Sequence, residues 1–85
     1  MYHYSWKDQA LHQLGGLSKT VALTIADKVK NYLTQEPRGN NSKPLKGKHL
    51  GLWRYRIGDY RVTYAIEESE KMIIITRVSH RKDGY

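Results

Sequence analysis

Three arginines, Arg54, Arg56 and Arg61, lie close together on either side of a Gly58-Asp59 pair. Guanidinium groups are permanently charged and carry planar arrays of donors, so a converging set of them can hold an anion. Whether they converge depends on the backbone between them. Leu52-Trp53-Arg54-Tyr55-Arg56-Ile57 and Tyr60-Arg61-Val62-Thr63-Tyr64 are rich in β-forming residues and flank Gly-Asp. That pattern predicts a β-hairpin with a two-residue loop, Gly58 suiting a type II′ turn. Strand alternation puts Trp53, Tyr55, Ile57, Tyr60, Val62 and Tyr64 on one face and all three arginines on the other. In this register Ile57 faces Tyr60, and Arg56 faces Arg61. Like charges opposed across two strands are destabilising. A sheet that keeps such a pair has an anion to place there.

Composition bounds the class of protein. The chain has 85 residues and suits one small domain over residues 1–85. It has no cysteine, which excludes disulfides, thiolate metal sites and thiol nucleophiles and fits a reducing cytoplasm. No stretch approaches the roughly 18 apolar residues of a membrane span, and the N-terminus lacks the basic-then-apolar pattern of a signal peptide. A cytoplasmic protein with no membrane partner is therefore expected. The net charge of +7 and pI of about 9.8 favour a polyanionic partner such as nucleic acid. Charge is also segregated. Lys43, Lys46, Lys48, Arg54, Arg56 and Arg61 face only Asp59 over residues 43–61, while Glu67, Glu68 and Glu70 cluster further on. Lys43, Lys46 and Lys48 are thus candidate phosphate contacts. His3, His12 and His49 show no ligand spacing, so neither a metal site nor a small-molecule cofactor is expected.

The remaining elements must carry the hairpin. Tyr2 to Trp6 alternates aromatic and polar residues and reads as a first strand. Ser5 is a candidate cap for a short helix from about Trp6 to Leu14, ended by Gly15-Gly16. Ser18 reads as the N-cap of a longer helix whose buried stripe is Ala22, Ile25, Ala26, Val29, Tyr32 and Leu33. Thr34 to Lys43 reads as a polar loop, and Met72 to Val78 as a final strand inside the sheet. The expected fold is α+β: an N-terminal strand, a two-helix hairpin, then a three-stranded antiparallel meander. The helices pack on one sheet face, and the arginine face stays open.

That order of elements, with Lys43-Pro44-Leu45-Lys46-Gly47, Tyr60-Arg61-x-x-Tyr64 and the ending His80-Arg81-Lys82-Asp83-Gly84-Tyr85, resembles the RelE/ParE superfamily of toxins. The resemblance spans nearly the whole chain and is most specific from Lys43 to Tyr85. It implies the toxin of a type II toxin-antitoxin system, neutralised by a cognate, RelB-like antitoxin. RelE-type members are ribosome-dependent endoribonucleases that cut mRNA in the ribosomal A site. ParE-type members share the fold and act on DNA gyrase. A basic pair followed by a C-terminal tyrosine is the nuclease-type ending, so the resemblance leans to the RelE branch.

RNA cleavage without a metal uses the adjacent 2′-hydroxyl as nucleophile. It needs a base, an acid for the leaving 5′-oxygen, and cations on the transition state. By match to the family pattern, Arg61, Arg81 and Tyr85 agree in type, whereas Arg54 and Arg56 stand where the best-known RelE branch has lysines. Arginine does not give up its proton in practice, so the base must lie elsewhere. His80 is the group next to this cluster that titrates near neutrality. Tyr85 is the alternative, as a proton shuttle or as a platform on which a base stacks. The implied site is therefore Arg54, Arg56, Arg61, His80, Arg81 and Tyr85.

Overall fold

Gly58 adopts φ +57°, while Asp59 is not among the residues with positive φ. This combination fits a type II′ turn and excludes type I′, which needs positive φ at both central positions. The turn sets the expected register: Ile57 pairs with Tyr60, Arg56 with Arg61 and Tyr55 with Val62. The computed structural model describes residues 1–83. In chain order they form β1 (His3–Trp6), α1 (Asp8–Gly15), α2 (Lys19–Lys28), a π-helical turn (Val29–Leu33), β2 (Ser42–Pro44), β3 (Leu52–Ile57), β4 (Tyr60–Glu67) and β5 (Met72–His80). A 3₁₀ turn, Arg81–Asp83, follows β5. The sheet order is β1-β5-β4-β3-β2, with β1 parallel to β5 and the other pairs antiparallel.

Both helices pack on one face of this sheet. Ala10 of α1, Ile25 of α2, and Val29 and Leu33 of the turn join Tyr55, Val62, Tyr64, Ile73, Ile75 and Val78 in the core. Trp53, Ile57 and Tyr60 pack half-buried against it. Fully burying each aliphatic side chain is worth roughly 1.5–3 kcal/mol, enough for a single shared core to fix which sheet face is covered. Ser18 caps α2 through its hydroxyl, which accepts from the Val21 N–H at 3.3 Å. β5 outlasts its neighbour, since β1 pairing stops at Ile75. Beyond that pairing, the backbone N–H of Val78 donates to the Gln13 side-chain carbonyl of α1 at 2.7 Å. This satisfies an edge that would otherwise be open.

Three local expectations are corrected. Ser5 caps nothing: Trp6 pairs with Ile75 in the sheet and the Lys7 N–H donates to the Ile75 carbonyl at 2.8 Å, so the ladder delays the helix to Asp8. The polar segment 34–43 is not all loop, because Ser42–Pro44 forms an edge strand on β3. Proline is tolerated there because an edge has no further ladder to join. Tyr32 is not in the buried stripe. The π-helical turn that contains it widens the helix, the Thr34 N–H reaching back to the Val29 carbonyl, and the residue is 55% exposed.

Away from the hairpin turn, Glu68 gathers three partners. Tyr2 donates its phenol to the carboxylate, Arg38 contacts it at 2.9 Å and Lys71 at 3.1 Å. These hydrogen bonds, Tyr2 first, hold the carboxyl near 2 instead of 4.5. A depressed carboxyl stabilises the fold above its unfolded pKa, and the contribution is lost as pH falls through the folded value. Glu68→Gln should therefore lower Tm slightly at pH 6, and the difference should shrink to almost nothing as pH falls to about 2. Because the carboxylate is about half exposed, the pH 6 gap should narrow in high salt. A gap as wide at pH 2 as at pH 6, read by thermal melts, would show that the carboxylate charge is not the cause.

Candidate functional site

The open face carries two cross-strand rows. Lys43 pairs with Arg54, Arg54 with Thr63 and Thr63 with Arg77. One step nearer the hairpin turn, Arg56 pairs with Arg61 and Arg61 with Ser79. Lys43, Arg54, Arg56 and Arg61, together with Asn40 and Asn41, line a cavity of about 170 Å³. Among these cations Arg54 and Arg61 are half-buried, and Lys43 and Arg56 are exposed. Four cations on one small concavity raise the local potential far above that of a solvated surface, since converging charges focus the field. Beneath them, the hydroxyls of Thr63 and Ser79 are buried without a hydrogen-bond partner among the described residues.

Arg77 belongs to this face and escapes a strict period-two reading. Ile73 and Ile75 point into the core, so alternation would send Arg77 there too. A register shift intervenes: Tyr64 pairs with Ile75 but Thr63 with Arg77, leaving Thr76 as the extra residue of a bulge. The Thr76 hydroxyl donates to the Thr63 carbonyl at 3.2 Å and occupies the irregularity. Beyond the bulge, Val78 is the inward residue and Arg77 and Ser79 face outward with the arginines. The sequence signal is the order Ile75-Thr76-Arg77-Val78, in which an apolar residue breaks step with the preceding isoleucines.

The same bulge turns His80 away from the arginines. His80 pairs with Tyr60, on the helix-covered face, and the two rings meet edge-on at 5.1 Å between centroids. Its Nδ1 accepts from the Lys82 backbone N–H at 3.1 Å, which puts the proton of the neutral ring on Nε2. Arg81 lies just past the strand end, beside the hairpin turn. Its backbone N–H donates to the Asp59 carbonyl at 2.7 Å, and its guanidinium meets the Asp59 carboxylate at 3.5 Å. Arg56 reaches the same turn through Nε and the Gly58 carbonyl at 3.5 Å. The structure thus brings Arg54, Arg56, Arg61 and Lys43 together, with Arg81 at the turn end of the same hairpin.

Lys46 and Lys48 lie at the other end. They sit on the connection past the Leu45–Leu52 backbone hydrogen bond, both exposed, and neither lines the cavity. Tyr85 lies outside the described residues. Among the described residues no His, Asp and Glu side chains cluster in a way that would hold a metal ion, and no helix is long and apolar enough to cross a membrane.

Comparison with known proteins places this geometry among relatives. A protein-family model described as "ParE toxin of type II toxin-antitoxin system, parDE" matches residues 4–85. Toxin RelE of Mycobacterium tuberculosis (strain ATCC 25618 / H37Rv) is 31% identical over 84 residues, which cover 99% of this chain and 86% of that protein. Toxin RelG of the same organism is 29% identical over 84 residues, 99% of this chain and 95% of that protein. The crystal structure of the toxin-antitoxin complex RelBE2 from the same species superposes with a TM-score of 0.88 at 28% identity. The match covers 94% of this chain and 98% of that one.

Proposed function

From the premise that the chain belongs to the RelE/ParE family of type II toxin-antitoxin toxins, we propose that it is a ribosome-dependent endoribonuclease that cuts mRNA in the A site. The observation that carries this reading is the cavity where Lys43, Arg54, Arg56 and Arg61 meet. A scissile phosphate seated there relieves the Arg56–Arg61 repulsion and accepts from planar guanidinium forks. As the 2′-hydroxyl attacks, negative charge grows on the phosphorane oxygens, and fixed cations stabilise that charge more than they stabilise the ground state. Arg81 supplies a further cation at the turn end once the phosphate competes with Asp59 for it.

Proton transfer is the sparser half of the machinery. His80 takes a proton on Nδ1 only after the Lys82 N–H leaves that nitrogen. Tyr85 is the second group in this role. With His80 turned toward Tyr60 and away from the arginines, orientation of the RNA by the ribosome carries much of the rate in this reading, and naked RNA is a poor substrate. The partners are the ribosome, its mRNA and a cognate RelB-like antitoxin; the compartment is the cytoplasm.

The matching family model bears the ParE description, which supports a second reading, a gyrase-directed toxin that cuts no RNA. Mapping mRNA 3′ ends after induction separates the two. Cuts inside ribosome-bound codons are expected. Intact mRNA combined with arrested DNA replication would replace the nuclease reading with the gyrase one.

A further inference from the structure

Behind the edge strand a second cavity of about 270 Å³ opens, lined by Tyr32, Gln35, Glu36, Asn40, Asn41 and Tyr55 among others. It shares Asn40 and Asn41 with the arginine cavity, so the two are neighbours across the edge of the sheet. Their chemistries are opposed. The first is lined by four cations, the second by no cation and by one carboxylate, Glu36. A phosphate is drawn to the first far more strongly than to the second. A polymer that alternates anionic links with neutral, hydrogen-bonding rings satisfies both at once, and that polymer is a nucleic acid.

The lining of the second cavity suits a ring. Gln35, Asn40 and Asn41 each offer an amide donor and an acceptor, the complement of a base edge. Tyr32, a residue 55% exposed, presents an aromatic ring whose place is set by the π-helical turn. Lys28 holds that ring with its ammonium 4.5 Å from the centroid. Tyr55 closes the inner wall. Burial is the chief cause that raises its phenol pKa. Exposed aromatics beside amide groups are how proteins hold unstacked bases of single-stranded RNA. Glu36 only accepts, so it favours a base that presents adjacent N–H donors, as guanine does, over uracil.

Building on the reading of the arginine cavity as an mRNA phosphate site, we propose that the Tyr32–Asn41 cavity is a nucleobase subsite. It takes the base of the nucleotide flanking the bound phosphate, with guanine preferred. Tyr32 and Glu36 are exposed, so Tyr32→Ala and Glu36→Gln leave the core untouched; thermal melts verify this. The test is fluorescence anisotropy with labelled single-stranded RNA hexamers, hexauridylate against versions carrying one guanine, at several salt concentrations. Tyr32→Ala should weaken binding of both RNAs about tenfold, in line with the loss of one base–aromatic stack, with the salt dependence unchanged. Glu36→Gln should reduce the guanine-to-uracil ratio. Arg61→Gln should weaken every RNA alike and flatten the salt dependence, with a log–log slope smaller by about 0.7. If Tyr32→Ala and Glu36→Gln bind both RNAs as wild type does while Arg61→Gln is weakened, the base subsite is refuted and the phosphate site stands. If Arg61→Gln also binds like wild type, or wild type binds neither RNA, the phosphate reading falls and the subsite with it.

Discussion

Arg61→Gln should lower in-codon mRNA cleavage by about a hundredfold or more, the cost of removing one preorganised group that stabilises transition-state charge, while the protein becomes no less stable. The two halves of this expectation come from one feature. Arg56 and Arg61 are direct cross-strand partners on the open face, and opposed like charges are destabilising where favourable cross-strand pairs contribute roughly 0.2–1 kcal/mol. Glutamine keeps most of the stem and removes the charge, so the repulsion goes and the packing stays. Tm should hold or rise by roughly a few degrees, given that 1 kcal/mol shifts a domain of this size by roughly 4–8 °C. Arg56→Gln should show the same gain. The double variant should gain no more than either single one, because the repulsion disappears with the first substitution. Strain that is stored in the free protein and relieved by the substrate phosphate is the ordinary trade between stability and activity. Retention of cleavage within a few-fold, or a Tm that drops together with activity, would argue that Arg61 serves the fold and not the reaction.

The hairpin was readable because its register follows from one turn. Gly58-Asp59 leaves only two loop residues, so the pairing of Arg56 with Arg61 follows from counting along the strands. The bulge on β5 was not readable by the same count. One extra residue at Thr76 exchanges the faces of everything after it. That places Arg77 and Ser79 on the open face and turns His80 toward Tyr60. The π-helical turn acts likewise on a helix: Ala22, Ile25, Ala26, Val29 and Leu33 hold to a 3.6-residue stripe, but the widened turn rotates Tyr32 out of it. Both irregularities lie where the basic face or the neighbouring cavity is assembled. Period-based reading fails at such points because the backbone there serves the position of particular side chains in addition to the ladder. β2 escaped notice for a different reason. It has only Ser42, Lys43 and Pro44, too few residues for any period to show. Its pairing is decided by contacts that the local sequence does not contain.

The chief of those contacts belongs to Tyr64, and Tyr64→Phe should cost roughly 1–3 kcal/mol, the penalty for leaving buried polar partners unsatisfied. Tyr64 is completely buried. Its phenol donates to the Pro37 carbonyl and shares a second hydrogen bond, at 2.8 Å, with the Ser42 hydroxyl. One oxygen at the centre of the sheet thus ties both ends of segment 37–42, the piece of chain that carries Asn40 and Asn41 and leads into Lys43. Phenylalanine fills the same space but strands the Pro37 carbonyl and the Ser42 hydroxyl. The loss in Tm should be several degrees or more, at roughly 4–8 °C per kcal/mol. A second readout follows from the phenol's ionisation. Burial pushes its pKa from 10 up to about 12. A raised pKa contributes stability below the unfolded value, and that contribution is lost as pH rises through the folded one. The stability gap between wild type and Tyr64→Phe should therefore be full below pH 10 and shrink between pH 10 and about 12. RNA affinity at neutral pH should fall too, although Tyr64 lines neither cavity, because the loop that separates them would no longer be held in one place. Unchanged RNA binding by a Tyr64→Phe protein that is clearly less stable would show that segment 37–42 keeps its shape without this anchor, and the two cavities would then owe their alignment to the β2–β3 pairing alone.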